Sequence, residues 1–279
     1  MIKEQQCLPT ELPTSINEIT ILRPGGNDTA LVPLLLELPE QRKKLNDAIM
    51  SAYPNVEQVG FYSLQPNKEF DARLIMAGGE FCGNATRSTT LLALGGNSGE
   101  IKIKVSGTEQ ILKAGINSDL TVWAQMPIIK DFSSIQRIDD LTIVSLEGIT
   151  HVISFLPFTD KETAKLKANQ ILENLDLKMT KPAAGVLFLT ENTSGIKMNP
   201  FVWVRDIETF FYETACASGT TAVGLAKSFR ENQSLQNLPI IQPSGEVIYV
   251  SVEKGPEEFV EAIISGPVQI LEENISLNL

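Results

Sequence analysis

Short apolar runs and alternating stretches dominate the hydrophobic pattern of this chain, and only four segments carry helical spacing. Residues 101–105 read Ile-Lys-Ile-Lys-Val, the period-two alternation of a half-buried antiparallel strand. Strands are likewise predicted over 19–23, 29–33, 56–63 and 70–77, and again over 141–145, 149–155, 186–190, 201–204 and 247–252. Helices are predicted over 38–53, where Leu45, Ile49 and Met50 share one stripe, and over 84–94, 161–175 and 218–229. The order of elements repeats. In each half two strands precede a helix, two more strands follow, and a turn of small residues around a cysteine opens an apolar helix. An alternating strand then closes the half, with 247–252 mirroring 101–105. This doubling predicts an α/β (α+β) chain of two similar domains facing each other, joined by a hinge near 126–131.

Composition narrows the picture. A chain of 279 residues with 43% hydrophobic and 20% charged residues can bury a full core in one large domain or two ordinary ones. The net charge of −11 argues against nucleic acid or an anionic membrane surface as the main partner. No apolar run approaches the ~20 residues needed to span a bilayer. The start is polar, with Glu4 and Glu11, and lacks a secretory pattern, so a cytoplasmic location is expected. Three cysteines, Cys7, Cys82 and Cys216, are too few and too far apart for a disulfide framework. The single histidine, His151, is remote in sequence from all three, so no zinc site is expected. The cysteines are therefore read as free thiols, with Cys7, in a Pro-flanked leader, taken as incidental.

The other two sit in matching surroundings. Gly78-Gly79-Glu80-Phe81-Cys82-Gly83-Asn84-Ala85-Thr86-Arg87 and Tyr212-Glu213-Thr214-Ala215-Cys216-Ala217-Ser218-Gly219-Thr220-Thr221 each end a strand and open a helix with small residues. Gly83, Asn84, Ser218 and Gly219 suit helix starts, whose unpaired N–H groups attract a carboxylate. The same field is expected to lower the thiol pKa. Either segment alone reads as a small buried cysteine at a turn; two facing each other place a pair of thiols around one anion. That arrangement suits inversion of a carbon centre, where one thiolate removes the α-proton and a thiol on the opposite face returns one. Helix N-termini would stabilise the developing charge. A thiol redox or sensor pair is the alternative from another class.

These motifs resemble those of the diaminopimelate epimerase family: Cys82-Gly83-Asn84-Ala85-Thr86-Arg87, Ala215-Cys216-Ala217-Ser218-Gly219-Thr220-Thr221-Ala222, and Gly25-Gly26-Asn27-Asp28 near the start. The resemblance implies two pseudo-symmetric domains of mostly antiparallel strands, each wrapped around a central helix and carrying one catalytic thiol. The domains would run over 1–128 and 129–265, with 266–279 returning to the first. It also implies no pyridoxal phosphate or other cofactor, no metal, and a homodimer. Departures narrow the substrate. Ile75-Met76-Ala77-Gly78-Gly79-Glu80, Gly148-Ile149-Thr150-His151 and Phe210-Phe211-Tyr212-Glu213 stand where that family carries polar groups for a distal carboxylate and amine. Buried without those partners, a second carboxylate is costly.

The chain is more similar to the histidine racemase branch, in Glu57-Gln58-Val59-Gly60-Phe61, Gly79-Glu80-Phe81-Cys82-Gly83-Asn84-Ala85-Thr86, Lys104-Val105-Ser106-Gly107, Gln125-Met126-Pro127 and Gln242-Pro243-Ser244-Gly245. That similarity implies conversion of L-histidine to D-histidine for a metallophore, with a diaminopimelate epimerase or a racemase of another amino acid as the alternatives. The expected catalytic residues are Cys82 and Cys216. The expected contacts to a small amino-acid substrate are Asn27, Glu57, Gly83, Asn84, Glu213, Ala217, Ser218 and Gly219. His151 is expected as a core histidine and Arg87 as a structural ion-pair partner.

Overall fold

The computed structural model describes residues 13–64, 69–193 and 195–278; Cys7 lies outside them. The first half runs β1 (Ser15–Pro24), β2 (Asp28–Val32), α1 (Pro39–Ala52), β3 (Val56–Ser63), β4 (Ala72–Met76), α2 (Gly83–Leu94), β5 (Gly99–Val105), β6 (Ile111–Ile116) and β7 (Val122–Gln125). The second runs β8 (Ile135–Ile138), β9 (Leu141–Leu146), β10 (Ile149–Ser154), α3 (Lys161–Asn174), the single turn α4 (Leu177–Thr180), β11 (Ala183–Asn192) and β12 (Gly195–Val204). It continues through β13 (Thr209–Tyr212), α5 (Ala217–Glu231), β14 (Leu235–Ile241), β15 (Val247–Lys254), β16 (Phe259–Gly266) and β17 (Val268–Asn278). The fold is mixed α+β and dominated by strands.

Strand pairing recurs in the two halves. β1 is antiparallel to β2, β2 parallel to β3, β3 antiparallel to β4, β4 parallel to β5, and β5, β6 and β7 follow as antiparallel neighbours. The same alternation links β9, β10, β11, β12, β14, β15 and β16. This register revises one expectation. The counterpart of β5 is β14, not β15, which pairs as β6 does. Leu235–Ile241 hid from the pattern because Pro239 and the left-handed Asn237 (φ 48°) break its alternation, with a register shift between Leu235 and Leu238.

Helices α2 and α5 occupy the interior of the two sets. α2 touches every strand from β1 to β7, and α5 touches β9, β10, β14, β15 and β16. The first eight residues of α2 are all buried, as are the first eight of α5. That is possible because both openings are built of Gly, Ala, Ser, Thr and Asn, with Arg87 and Val223 the two exceptions. Each helix stops at a left-handed residue, Gly95 (φ 56°) and Asn232 (φ 54°), whose N–H returns to the last turn. One apolar core runs around both helices and includes Cys82 and Cys216. The outer helices carry separate cores: α1 with Leu45 and Ile49, α3 with Ala164, Ala168 and Leu172. The halves are joined by antiparallel pairing of β7 with β16, and β17 returns to pair with β1. Between them, Met126 N–H donates to Ala262 O and Phe259 N–H to Lys130 O, so the connecting segment is bonded at both ends. Among the described residues no helix is long and apolar enough to cross a membrane.

Candidate active site

Cys82 is the N-cap of α2 (φ −133°, ψ 109°), and its Sγ accepts the Ala85 N–H at 3.3 Å. Cys216 is the N-cap of α5 (φ −129°, ψ 106°), and its Sγ accepts the Gly219 N–H at 3.4 Å. The two caps are near-copies, each thiol taking the place a Ser or Asp side chain usually fills at a helix start. Both cysteines line one cavity of 30 Å³, together with Gln58, Glu80, Phe81, Gly83, Asn84, Ile149, Val202, Val204, Glu213, Ala217 and Ser218. A neighbouring 20 Å³ cavity shares Gln58, Glu80, Val202, Val204 and Glu213 with it and adds Glu57, Met50 and Phe211.

Close backbone packing fixes the Cys82 loop. Ser106 Oγ–H donates to Glu80 O at 2.7 Å, and a β-carbon at Gly107 (φ +76°) would lie 2.2 Å from Phe81 N. On the far side of that turn, a β-carbon at Gly148 (φ +79°), in the β9–β10 hairpin of the other half, would come within 2.5 Å of Gly107 O. Only glycines let these three loops stack. A second tie runs through Asn84, whose Nδ2 donates to Ala215 O at 2.9 Å, joining the start of α2 to the residue before Cys216. Arg87, fully buried, donates to Asn84 Oδ1 at 3.0 Å. The expected ion pair of Arg87 is not formed: its partner is a neutral amide, and its Nε and Nη1 have no acceptor.

Polar groups link the thiols to their surroundings. Cys82 Sγ–H donates to Gln58 Oε1 at 2.9 Å, and Gln58 Nε2–H donates to Glu213 Oε1 at 3.1 Å. Cys216 Sγ lies 3.5 Å from Ser218 Oγ, which in turn is 2.8 Å from His151 Nε2. Burial pushes the Cys82 thiol up to about 12 and the Cys216 thiol well above its ordinary value. This reverses the expectation of lowered thiol pKa values. The N–H bonds from Ala85 and Gly219 favour thiolate, but loss of water outweighs them, and the charge of Glu213 adds to the upward push. Burial likewise raises Glu80 to about 7 and Glu213 to about 8, and it holds His151 neutral, down to about 3. Glu57 is raised by burial, against bonds from Thr214 and from Asn27 Nδ2 (2.8 Å).

Of the expected site residues, Cys82, Cys216, Gly83, Asn84, Glu213, Ala217 and Ser218 line the cavity between the thiols. Gly219 stands behind Cys216 as its N–H donor. Glu57 lines the neighbouring cavity, and Asn27 lies behind it, fully buried and bonded to Glu57 and to Thr29. Sequence reasoning did not single out Gln58, Ile149, Val202 or Val204. Among the described residues no group of three or more His, Cys, Asp or Glu side chains is placed to hold a metal, and neither cavity is lined by Lys, Arg or His.

Residues 19–275 match the family described as the histidine racemase CntK N-terminal domain. The chain belongs to this family. A histidine racemase of Fusobacterium nucleatum is 30% identical over 267 residues, covering 90% of this chain and 94% of that protein. Solved structures share the fold at much lower identity. A hydroxyproline epimerase from Agrobacterium vitis, with bound trans-4-hydroxy-L-proline, superposes with a TM-score of 0.66 at 12% identity, covering 95% of this chain and 92% of that one. A Bacillus anthracis phenazine biosynthesis protein of the PhzF family reaches 0.63 at 15% identity, covering 96% and 100%. The chain is thus an isomerase, an amino-acid racemase, with a fold of the proline racemase and PhzF kind.

Proposed function

We propose that this protein interconverts L- and D-histidine without a cofactor, Cys82 and Cys216 serving as the two acid–base groups on opposite faces of the α-carbon. The observation that carries this reading is that two helix-capping thiols line one small cavity. One thiolate takes the α-proton as the opposite thiol delivers its S–H proton to the other face, so base and acid exchange roles with direction. The N–H groups at the starts of α2 and α5 hold the carboxylate where negative charge gathers. A thiolate stripped of water is a strong base, which suits so weak an acid as an amino-acid α-carbon.

Charge in the two cavities supports histidine. Glu57, Glu80 and Glu213 are their only ionisable linings besides the thiols. An ammonium and an imidazole fit among those carboxyl groups, whereas the second carboxylate of diaminopimelate finds no Lys, Arg or His there to pair with. Glu57, Glu213 and Asn27 are read as the groups that orient the amine and side chain. The pairing of strands around α2 and α5 supports a division into units 1–128, joined by 266–279, and 129–265, in the manner of diaminopimelate epimerases. The family resemblance further carries the reading that D-histidine feeds a metallophore.

Incubating the enzyme with single L-amino acids and following circular dichroism tests the substrate: the signal of L-histidine should decay to zero, with deuterium entering the α-position in heavy water. Cys82→Ser and Cys216→Ser should each lower racemisation at least ~100-fold with the fold intact. Full activity in either variant removes the mechanism, and decay with diaminopimelate but not histidine removes the substrate.

A further inference from the structure

Three carboxyl groups line the two cavities, and their bonds within the protein differ. Glu57 is engaged at both oxygens: Oε2 accepts from Asn27 Nδ2 at 2.8 Å and from the Thr214 N–H at 3.0 Å, and Oε1 accepts from the Thr214 hydroxyl. Glu213 Oε1 accepts from Gln58 Nε2 at 3.1 Å. Glu80 is different. Its Oε2 is buried and has no hydrogen-bond partner among the described residues. Arg42, beside Gly79, turns its guanidinium to Leu36 O, Glu37 O and Ala77 O instead. A buried acceptor with no donor is costly in a folded protein, and this one stands on the wall of the site.

Its surroundings point to the side-chain end of the substrate. A β-carbon added at Gly78 would lie 2.7 Å from Glu80 Oε2, 2.7 Å from Val204 Cγ1 and 3.4 Å from Ile207 Cγ1. The unpartnered oxygen therefore stands beside two apolar side chains of the other half. Val204 lines both cavities; Ile207 lines the one away from the thiols, as do Met50 and Phe211. With the α-carbon between Cys82 and Cys216, a side chain that crosses the wall shared by the cavities meets apolar surfaces and one unused acceptor. We propose that Glu80 is the specificity-determining residue of this site, its Oε2 accepting a ring N–H of the substrate imidazole while Val204 and Ile207 pack on the ring. This rests on the histidine racemase reading above.

The chemistry of an imidazole suits this corner. The ring is flat, its faces pack on apolar side chains, and its neutral and cationic forms each carry an N–H. A phenyl or aliphatic side chain would pack on Val204 and Ile207 as well but would leave Oε2 buried without a donor, which selects against it. A side-chain carboxylate would be set against Glu80 itself, acceptor against acceptor. The placement also assigns a use to the glutamate two residues before Cys82, which acid–base exchange at the thiols does not require.

Steady-state kinetics of two variants test this. Glu80→Met removes both oxygens at similar length, and Glu80→Gln keeps one acceptor without the charge. KM for L-histidine should rise about 100-fold in the first and about 10-fold in the second, with kcat changed by no more than about threefold in either. The two ring N-methyl-L-histidines supply a readout that a purely structural role would not move. The parent should disfavour at least one of them against histidine by about 10-fold or more in kcat/KM, and Glu80→Met should cut that preference to about threefold or less. An unchanged KM, a loss confined to kcat, a parent indifferent to both methyl groups, or a preference that survives Glu80→Met overturns the assignment. Should Glu80→Met not fold, Glu80→Gln decides, and a KM rise of less than about threefold overturns it. Cys82→Ser and Cys216→Ser separate the two ideas. Inactive cysteine variants beside a Glu80→Met enzyme that keeps its KM leave the two thiols standing and remove Glu80, whereas a parent that does not racemise histidine removes both.

Discussion

At the residue scale, orientation is decided by which groups can only donate. Arg87 has no acceptor atom, so Asn84 must turn Oδ1 toward it, and Nδ2 is left to reach across to Ala215 O beside Cys216. A buried cation at 0% exposure thus fixes a neutral amide that ties the two thiol segments together. Burial lowers the pKa of Arg87 to about 10, so it remains charged under ordinary conditions. Removing its one acceptor therefore differs from removing the charge. Asn84→Ala strips a buried guanidinium of its hydrogen-bond acceptor and should cost about 3 kcal/mol. Arg87→Met leaves only a neutral amide oxygen unpaired and should cost about 1–2 kcal/mol. Urea denaturation of both checks the order; a larger loss in Arg87→Met would contradict it. Racemisation should fall in both, because each frees the link between Asn84 and Ala215.

At the element scale, the helix starts were legible because the chemistry that makes a helix N-terminus also makes an anion site: a capping side chain, then Gly, Ala, Ser or Asn. The four helices predicted over 38–53, 84–94, 161–175 and 218–229 all formed, with ends moved by two residues at most. Ten strands were legible too; β6, β7 and β16 also bury one face and were not predicted. β17 was not, since its residues are mostly exposed and its apolar side chains, such as Ile270 and Leu271, follow no period. Gln58 escaped notice for a different reason: its meaning comes from Glu213, 155 residues away, and no local spacing records that. His151 was read as a core histidine, and it is fully buried on β10, but its ring also buttresses Ser218. The parallel register sets it beside Gly185 on β11, where a β-carbon would lie 2.5 Å from Nδ1 and 2.8 Å from Cε1. The ring cannot swing away without giving up Ser218. Gly185→Ala should therefore cost about 1–3 kcal/mol of stability and lower kcat by displacing the start of α5. Thermal melts and initial rates check both; a variant with unchanged melting temperature and rate would show that the ring is free to move.

At the scale of the whole molecule, the site exists only because the halves are held together by β7 with β16, β17 with β1, and the bonds of Glu147 to Thr108 and to Gln110 (2.6 Å). Closing them shuts several ionisable groups away from water, and folding stability must then depend on pH. Glu57, Glu80 and Glu213 are all raised by burial, the last two to about 7 and 8. Unfolded, they ionise near 4.5, so above that pH the folded protein keeps protons the unfolded chain has released. Their contribution is fully present below 4.5 and is lost as pH rises through 8. His151 acts oppositely: it is held neutral down to about 3, so its contribution is present above 6.5 and lost as pH falls. Between 4.5 and 6.5 the two effects offset each other in part; between 6.5 and 8 only the carboxyl groups act. The midpoint of urea unfolding should therefore fall from pH 6.5 to pH 8. Glu213→Gln, which has no proton to lose, should flatten that fall and be more stable than the parent at pH 8. A parent midpoint that holds constant or rises over this window would mean that these carboxyl groups reach water in the folded protein.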